Sequence, residues 1–264
     1  MLKLTVATPP ADPHPGRARA VRRLRGPLSA IVALWLAAAF APQALAQTCG
    51  PAINLAADQW RMVAVSCVPN ANKTISDFFS PSLGAANYGV TWIVWKRVYN
   101  NPSCVVASGP SDCYVKLTLT SPVSTGDAFW VYSTLATSLQ FNNSQATTTP
   151  GPYFEFPAVL STDGNSRYYM FGNPYAGTVN WADFGFPIVF LGFLNFTLST
   201  QQAVNNSIVS KDVYYWNGTN TYFTRDLTTS PNPAATFTSK QAAWLEMLQP
   251  SGLISNVRVR VPQP

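Results

Sequence analysis

Trp92-Ile-Val-Trp-Lys-Arg-Val-Tyr99 is an unbroken run of aromatic, β-branched and basic residues with no glycine or proline. That composition favours an extended strand. Cys113-Tyr-Val-Lys-Leu-Thr-Leu119 and Asp127-Ala-Phe-Trp-Val-Tyr132 read the same way. Val257-Arg-Val-Arg-Val261 alternates strictly, which predicts valines toward a core and arginines toward solvent. Turn residues separate the segments, among them Pro69-Asn70, Gly109-Pro110, Gly126-Asp127, Asp163-Gly164-Asn165 and Pro231-Asn232-Pro233. Short strands between such signals predict an all-β fold. Helical signals are few. Ile75 to Phe79 reads as one helical turn capped by Thr74, and Ser239 to Leu248 is helical by propensity alone.

The order of segments repeats. Trp60-Arg-Met-Val-Ala-Val-Ser-Cys-Val-Pro69 is followed by Asp77-Phe78, an aromatic strand at 91–95, a short strand at 114–117, and Thr125-Gly-Asp-Ala-Phe-Trp-Val131. Arg167-Tyr-Tyr-Met-Phe-Gly-Asn-Pro174 is followed by Asp183-Phe184, Lys211-Asp-Val-Tyr-Tyr-Trp216, Tyr222-Phe-Thr-Arg225, and Ser239-Lys-Gln-Ala-Ala-Trp-Leu245. The matching sets Pro69 against Pro174, Asp77 against Asp183, Trp95 against Trp216 and Trp130 against Trp244. It makes the second half of 239–248 a strand. The expected fold is therefore two similar small antiparallel β units, 47–150 and 151–264, packed as a sandwich or barrel-like pair within one domain. Each half alone would expose an apolar face that the other covers.

The first half also resembles a module of bacterial exported and cell-surface proteins. That module opens with a Gly/His-Trp-x-x-Ile-Ser-x-Pro strand, carries a Val-Trp-x-Tyr strand, and closes with a Gly-x-Gly-Tyr-Trp-Ile strand. Gln59-Trp60, Trp92-Ile-Val-Trp95 and Gly126-Asp-Ala-Phe-Trp130-Val131 carry the resemblance, and Pro69 arrives late. In the second half Arg167-Tyr168 replaces the opening tryptophan and 240–243 replaces the glycine pair. The resemblance implies a secreted, surface-associated β module and supplies no catalytic residues.

Residues 1–46 read as a secretory signal. Arginines lie at 17–25, an apolar run spans 28–40, and Ala44-Leu45-Ala46 precedes an expected cleavage before Gln47. The apolar run is too short to span a bilayer as a helix. Six of the 17 basic residues, one of the 11 acidic residues and His14, the sole histidine, fall in this segment. The remaining chain is close to neutral. Its lack of histidine excludes serine–histidine and cysteine–histidine catalysis and histidine-ligated metal. Near-neutral charge argues against a nucleic-acid partner, and no later segment reaches membrane-spanning length.

Cys49, Cys67, Cys104 and Cys113 are an even set in a chain expected to be exported, which predicts two disulfides. The preferred pairing is Cys104–Cys113 across a hairpin tip and Cys49–Cys67 at the mature N-terminus. No metal site or cofactor is expected. Asp77, Asp183 and Glu155 are the candidate carboxylates for glycoside chemistry, but a carboxylate repeated in both halves reads more simply as a turn-ordering device. Trp92 and Trp181 are the candidate aromatic binding positions. Trp92 and Trp95 sit at odd spacing and face opposite sides of their strand. The function expected is a secreted, non-enzymatic structural or adhesive module whose partner is a glycan or another surface or matrix protein. The alternative is a carbohydrate-active protein, either a glycan-binding module or a glycoside hydrolase.

Overall fold

A computed structural model describes residues 50–69, 73–101, 104, 112–141, 146–148, 151–158, 167–216, 221–228, 236–248 and 253–264. The expected signal segment and Cys49 lie outside these residues, as does the turn at 163–165. The described residues belong to one compact unit spanning 46–264.

The first half contains β1 (Ile53–Leu55), β2 (Gln59–Ala64), β3 (Val68–Pro69), α1 (Ile75–Leu83), β4 (Trp92–Val98), β5 (Cys113–Lys116), β6 (Ala128–Ser133), β7 (Thr137–Leu139) and β8 (Ala146–Thr148). The second contains β9 (Tyr153–Ala158), β10 (Arg167–Gly172), β11 (Val179–Asn180), β12 (Gly185–Phe190), β13 (Leu194–Ser199), α2 (Thr200–Asn205), β14 (Val209–Trp216), β15 (Tyr222–Asp226), β16 (Thr236–Phe237), β17 (Ala242–Met247) and β18 (Ile254–Pro262). The fold is all-β, and every strand pairing among the described residues is antiparallel.

Each half is built on a four-stranded sheet, and the two share one topology. The order is β2-β6-β4-β5 in the first and β10-β17-β14-β15 in the second: first strand, last strand, then the two between. Register gives the residue correspondence. Met62 pairs with Trp130 as Met170 pairs with Trp244, and Ala64 pairs with Ala128 as Gly172 pairs with Ala242. Two of the matches expected from sequence are corrected. Trp130 lies beside Trp95 where Trp244 lies beside Tyr214, so Trp95 corresponds to Tyr214 and not to Trp216. Trp216 pairs with Tyr222 as Arg97 pairs with Tyr114, so Trp216 corresponds to Arg97. Pro69 lies five residues beyond Ala64 and Pro174 two beyond Gly172, so the prolines are not equivalent.

The two sheets pack face to face. Met62, Ala64, Ala128 and Trp130 meet Met170, Ala242 and Trp244 in a shared seam. The alternate residues point outward into two separate cores. In the first half Val63, Phe129, Val131, Trp92 and Val94 are covered by α1 and the β1–β7 pair, through Ile75, Phe78, Phe79, Leu55 and Leu139. In the second half Tyr169, Phe171, Val213, Tyr215, Ala243 and Leu245 are covered by the sheet β13-β12-β18-β9. Val257, Val259 and Val261 of β18 are buried there as their alternation predicts, while Arg258 is exposed. Strands buried on both faces are apolar throughout, as in Ala242-Ala-Trp-Leu245. That removes the period-two signal and explains why 239–248 looks helical by propensity.

Two backbone hydrogen bonds cross between the halves at related places. The Ala64 N–H donates to the Lys240 carbonyl and the Gly172 N–H donates to the Gly126 carbonyl, both at 2.9 Å. Gly126 and Lys240 both adopt left-handed backbone, with φ of 73° and 58°. A β-carbon on Gly126 would lie 2.3 Å from the Phe156 ring. Lys240 has the same backbone, and its buried amine donates to the carbonyls of Gly50 (3.1 Å) and Pro51 (2.6 Å). Burial pushes that amine down to about 8.

The second half carries an addition. Hairpin β12–β13 lies between the 3-10 turn Trp181–Asp183 and α2. The Thr200 hydroxyl at the start of α2 donates to the Trp181 carbonyl at 2.6 Å, so the chain returns to where the turn left it.

Cys104 and Cys113 form a disulfide with a Cα–Cα distance of 5.6 Å. Cys67 is also disulfide-bonded. No described helix is long and apolar enough to cross a membrane.

Candidate functional site

The matched aspartates order matched turns. Asp77 accepts hydrogen bonds from the Thr74 N–H (2.8 Å) and hydroxyl (2.9 Å) at the start of α1. These bonds, led by the backbone one, hold its carboxyl below the usual range. Asp183 accepts from the Asn180 side-chain amide at 3.4 Å. Thr74 bridges to Pro122 as Asn180 bridges to Thr236. Each carboxylate thus serves the cap of its own half. Glu155, on β9, is ion-paired with Arg258 (3.1 Å) and Arg260 (2.6 Å). Each of the three candidates is thus engaged with partners of its own.

The structure also corrects the aromatic candidates. Trp92 is 1% exposed and Trp181 is fully buried. The Trp92 indole donates to the Gly84 carbonyl at 2.8 Å. Trp181 stacks on Phe237 with ring centres 4.8 Å apart. Both belong to the outward-facing cores and offer no surface to a ligand. The odd spacing of Trp92 and Trp95 does place them on opposite faces, and Trp95, at the seam, is the half-buried one.

Open aromatic surface lies at the seam instead. One cleft, of about 420 Å³, is lined by Trp60, Trp95, Tyr114, Trp130, Trp216 and Tyr222. A second, of about 400 Å³, is lined by Tyr168, Tyr214, Tyr222, Trp244, Arg97 and Tyr114. Register relates these residues one to one. Trp60 corresponds to Tyr168, Trp95 to Tyr214, Tyr114 to Tyr222, Trp130 to Trp244, and Trp216 to Arg97. The two clefts are copies of one site, and Tyr114 and Tyr222 line both.

The central tyrosines show the relation in their contacts. Tyr222 meets Trp130 edge-to-face at 6.4 Å, and Tyr114 meets Trp244 edge-to-face at 6.4 Å. Each tyrosine therefore packs its ring on the other half's tryptophan. Its hydroxyl lies by the indole of its own half, Tyr114 by Trp130 and Tyr222 by Trp244, and burial raises both hydroxyls above the usual value. Tyr168 is pushed up to about 12 by burial and then by the Glu246 charge. All three hydroxyls remain protonated donors at neutral pH. Trp60, Tyr114, Tyr168 and Tyr222 are 36–44% exposed, so the clefts open to solvent. Among the described lining residues of the two clefts there is no carboxylate.

Three lining residues carry buried nitrogens without a hydrogen-bond partner: Trp95 Nε1 in the first cleft, and Arg97 Nε and Trp244 Nε1 in the second. Beside Arg97 lies a buried ion pair that ties the halves together. Asp112 accepts from Arg167 Nε at 2.7 Å and from the Asn100 N–H at 3.1 Å. Burial acts to raise the Asp112 carboxyl, but the Arg167 and Asn100 hydrogen bonds and the nearby guanidiniums outweigh it and hold it below the usual range.

Strand parity placed the site side of β4 on either Trp92 or Trp95 without deciding between them. The signal that selects the seam is the coincidence of small residues, Ala64, Ala128, Gly172 and Ala242, with aromatic ones at alternate positions of the repeat. No family model matches the chain, and neither a curated protein nor a solved structure does.

Proposed function

We propose that the protein is an exported, non-enzymatic binding module of the cell surface or extracellular space, and that its twin aromatic clefts bind carbohydrate. One observation carries the reading: the same six-residue cleft, aromatic throughout in one copy and aromatic but for Arg97 in the other, occurs twice, related by the internal repeat and joined at Tyr114 and Tyr222. Exposed aromatic rings stack on the apolar faces of sugars while phenol and indole donors meet their hydroxyls, a combination of apolar body and polar tip. A cleft walled by tryptophan and tyrosine with ionised groups at one end suits such a ligand. The Cys104–Cys113 disulfide supports an oxidising compartment.

Binding of mature protein (47–264) to a panel of immobilised oligosaccharides tests the reading. Trp60→Ala and Tyr114→Ala are each expected to weaken binding about tenfold, the cost of losing one well-packed aromatic anchor. Circular dichroism checks that each variant is folded. Absence of binding across the panel, or unchanged binding by both folded variants, overturns the proposal.

A further inference from the structure

The two clefts share their architecture and differ in chemistry. Tryptophans at 60, 95 and 216 in one correspond to Tyr168, Tyr214 and Arg97 in the other. At the tryptophan end, the Trp216 indole is already committed, donating to the Trp60 carbonyl at 2.8 Å. At the other end Arg97 takes that place, with its guanidinium 5.2 Å from the centre of the Tyr114 ring and its side chain 25% exposed.

Arg97 lacks a full partner. Its nearest carboxylate oxygen, on Asp112, is 3.7 Å away, beyond hydrogen-bonding distance. The same carboxylate already accepts from both Arg167 Nε and Nη2 and from the Asn100 N–H. One buried carboxylate thus faces two guanidiniums, and Arg97 Nε has no acceptor among the described residues. A buried donor without an acceptor is costly and marks a place where one is supplied. The other charge at this end, Glu246, lies opposite Tyr168 across the strand pair and acts on its hydroxyl.

We infer that the ligand of this joined site carries a carboxylate-bearing sugar of the uronic acid class, seated against Arg97 and Tyr114, with a neutral sugar face on the tryptophan-lined cleft. The inference rests on the carbohydrate reading above and adds the position and chemistry of the acidic unit. Arg97 Nε is itself buried, so a carboxylate would meet the exposed part of the guanidinium, whose side chain is 25% exposed and held only loosely by Asp112 at 3.7 Å, through charge-assisted hydrogen bonds. Methyl glucuronide and methyl glucoside differ at one carbon and serve as probes. Titration of mature protein with each, followed by NMR of the arginine Nε–H and tryptophan indole signals, reads both ends of the site at once. The expected result is that the glucoside shifts seam indoles only. The glucuronide is expected also to shift Arg97 Nε–H and to bind about fivefold tighter at low salt, a preference that falls as salt screens the pair. Arg97→Gln should abolish the preference, so that glucuronide and glucoside bind the variant equally, and Arg97→Lys should restore part of it. Equal affinities in the native protein, or a preference that survives in Arg97→Gln, overturn this inference and leave the carbohydrate reading standing. Failure of both probes to move any seam indole overturns the carbohydrate reading together with it.

Discussion

Asp112 forms the buried ion pair with Arg167. Its side chain is 2% exposed, it directly precedes β5, and its partner Arg167 opens β10, so their pair joins the two halves. Removing one member of a buried pair leaves the other charge without compensation. Asp112→Asn is therefore expected to destabilise the fold by about 3 kcal/mol, read from the urea midpoint of residues 47–264. The pH dependence has a fixed sign. The folded carboxyl titrates below its unfolded value of about 3.9. The stability it contributes is fully present above that value and is lost as pH falls through the folded one. Native protein should lose stability in acid more steeply than Asp112→Asn, and parallel acid titrations would contradict this.

At the scale of elements, the repeated cap predicts unequal effects at Asp77 and Asp183. Asp77 makes two short hydrogen bonds to Thr74 at the start of a nine-residue helix, whereas Asp183 makes one bond of 3.4 Å at a three-residue turn. Asp77→Ala should cost about 1 kcal/mol and Asp183→Ala clearly less, by the same urea measurement; equal losses would defeat the assignment. These elements also show how much the sequence revealed. The strands at 92–98, 128–133 and 254–262 were legible because β-branched and aromatic runs have few alternatives. The cap on α1 was legible because Thr74 and Asp77 have the right spacing. Hairpin β12–β13 was not, because 184–196 is apolar nearly throughout and lacks a period-two signal; the exposed Phe193 lies in its turn and the exposed Phe196 in β13.

For the whole molecule, the duplication was legible in the order of segments and illegible in its detail. Aromatic residues mark both copies, but whether Trp95 answers Trp216 or Tyr214 depends on register, which only cross-strand pairing reveals. The clefts were hidden for the same reason, since they combine residues far apart in sequence. The seam has one further property. At its tightest point Ala64 faces Gly172, and a β-carbon on Gly172 would lie 2.1 Å from that of Ala64. Gly172→Ala is expected to cost about 3 kcal/mol through overpacking. Adding Ala64→Gly should recover most of the loss, with a remainder because the Ala64 α-carbon at 3.1 Å and the Asp127 carbonyl at 3.2 Å stay close; a swap that gives no recovery would contradict this contact. The two positions thus share a single methyl-sized seat. Whichever half occupies it excludes the other, so a perfectly twofold version of this protein with alanine at both sites would close only under strain, and a strain-free twofold version must leave the seat empty with glycine at both.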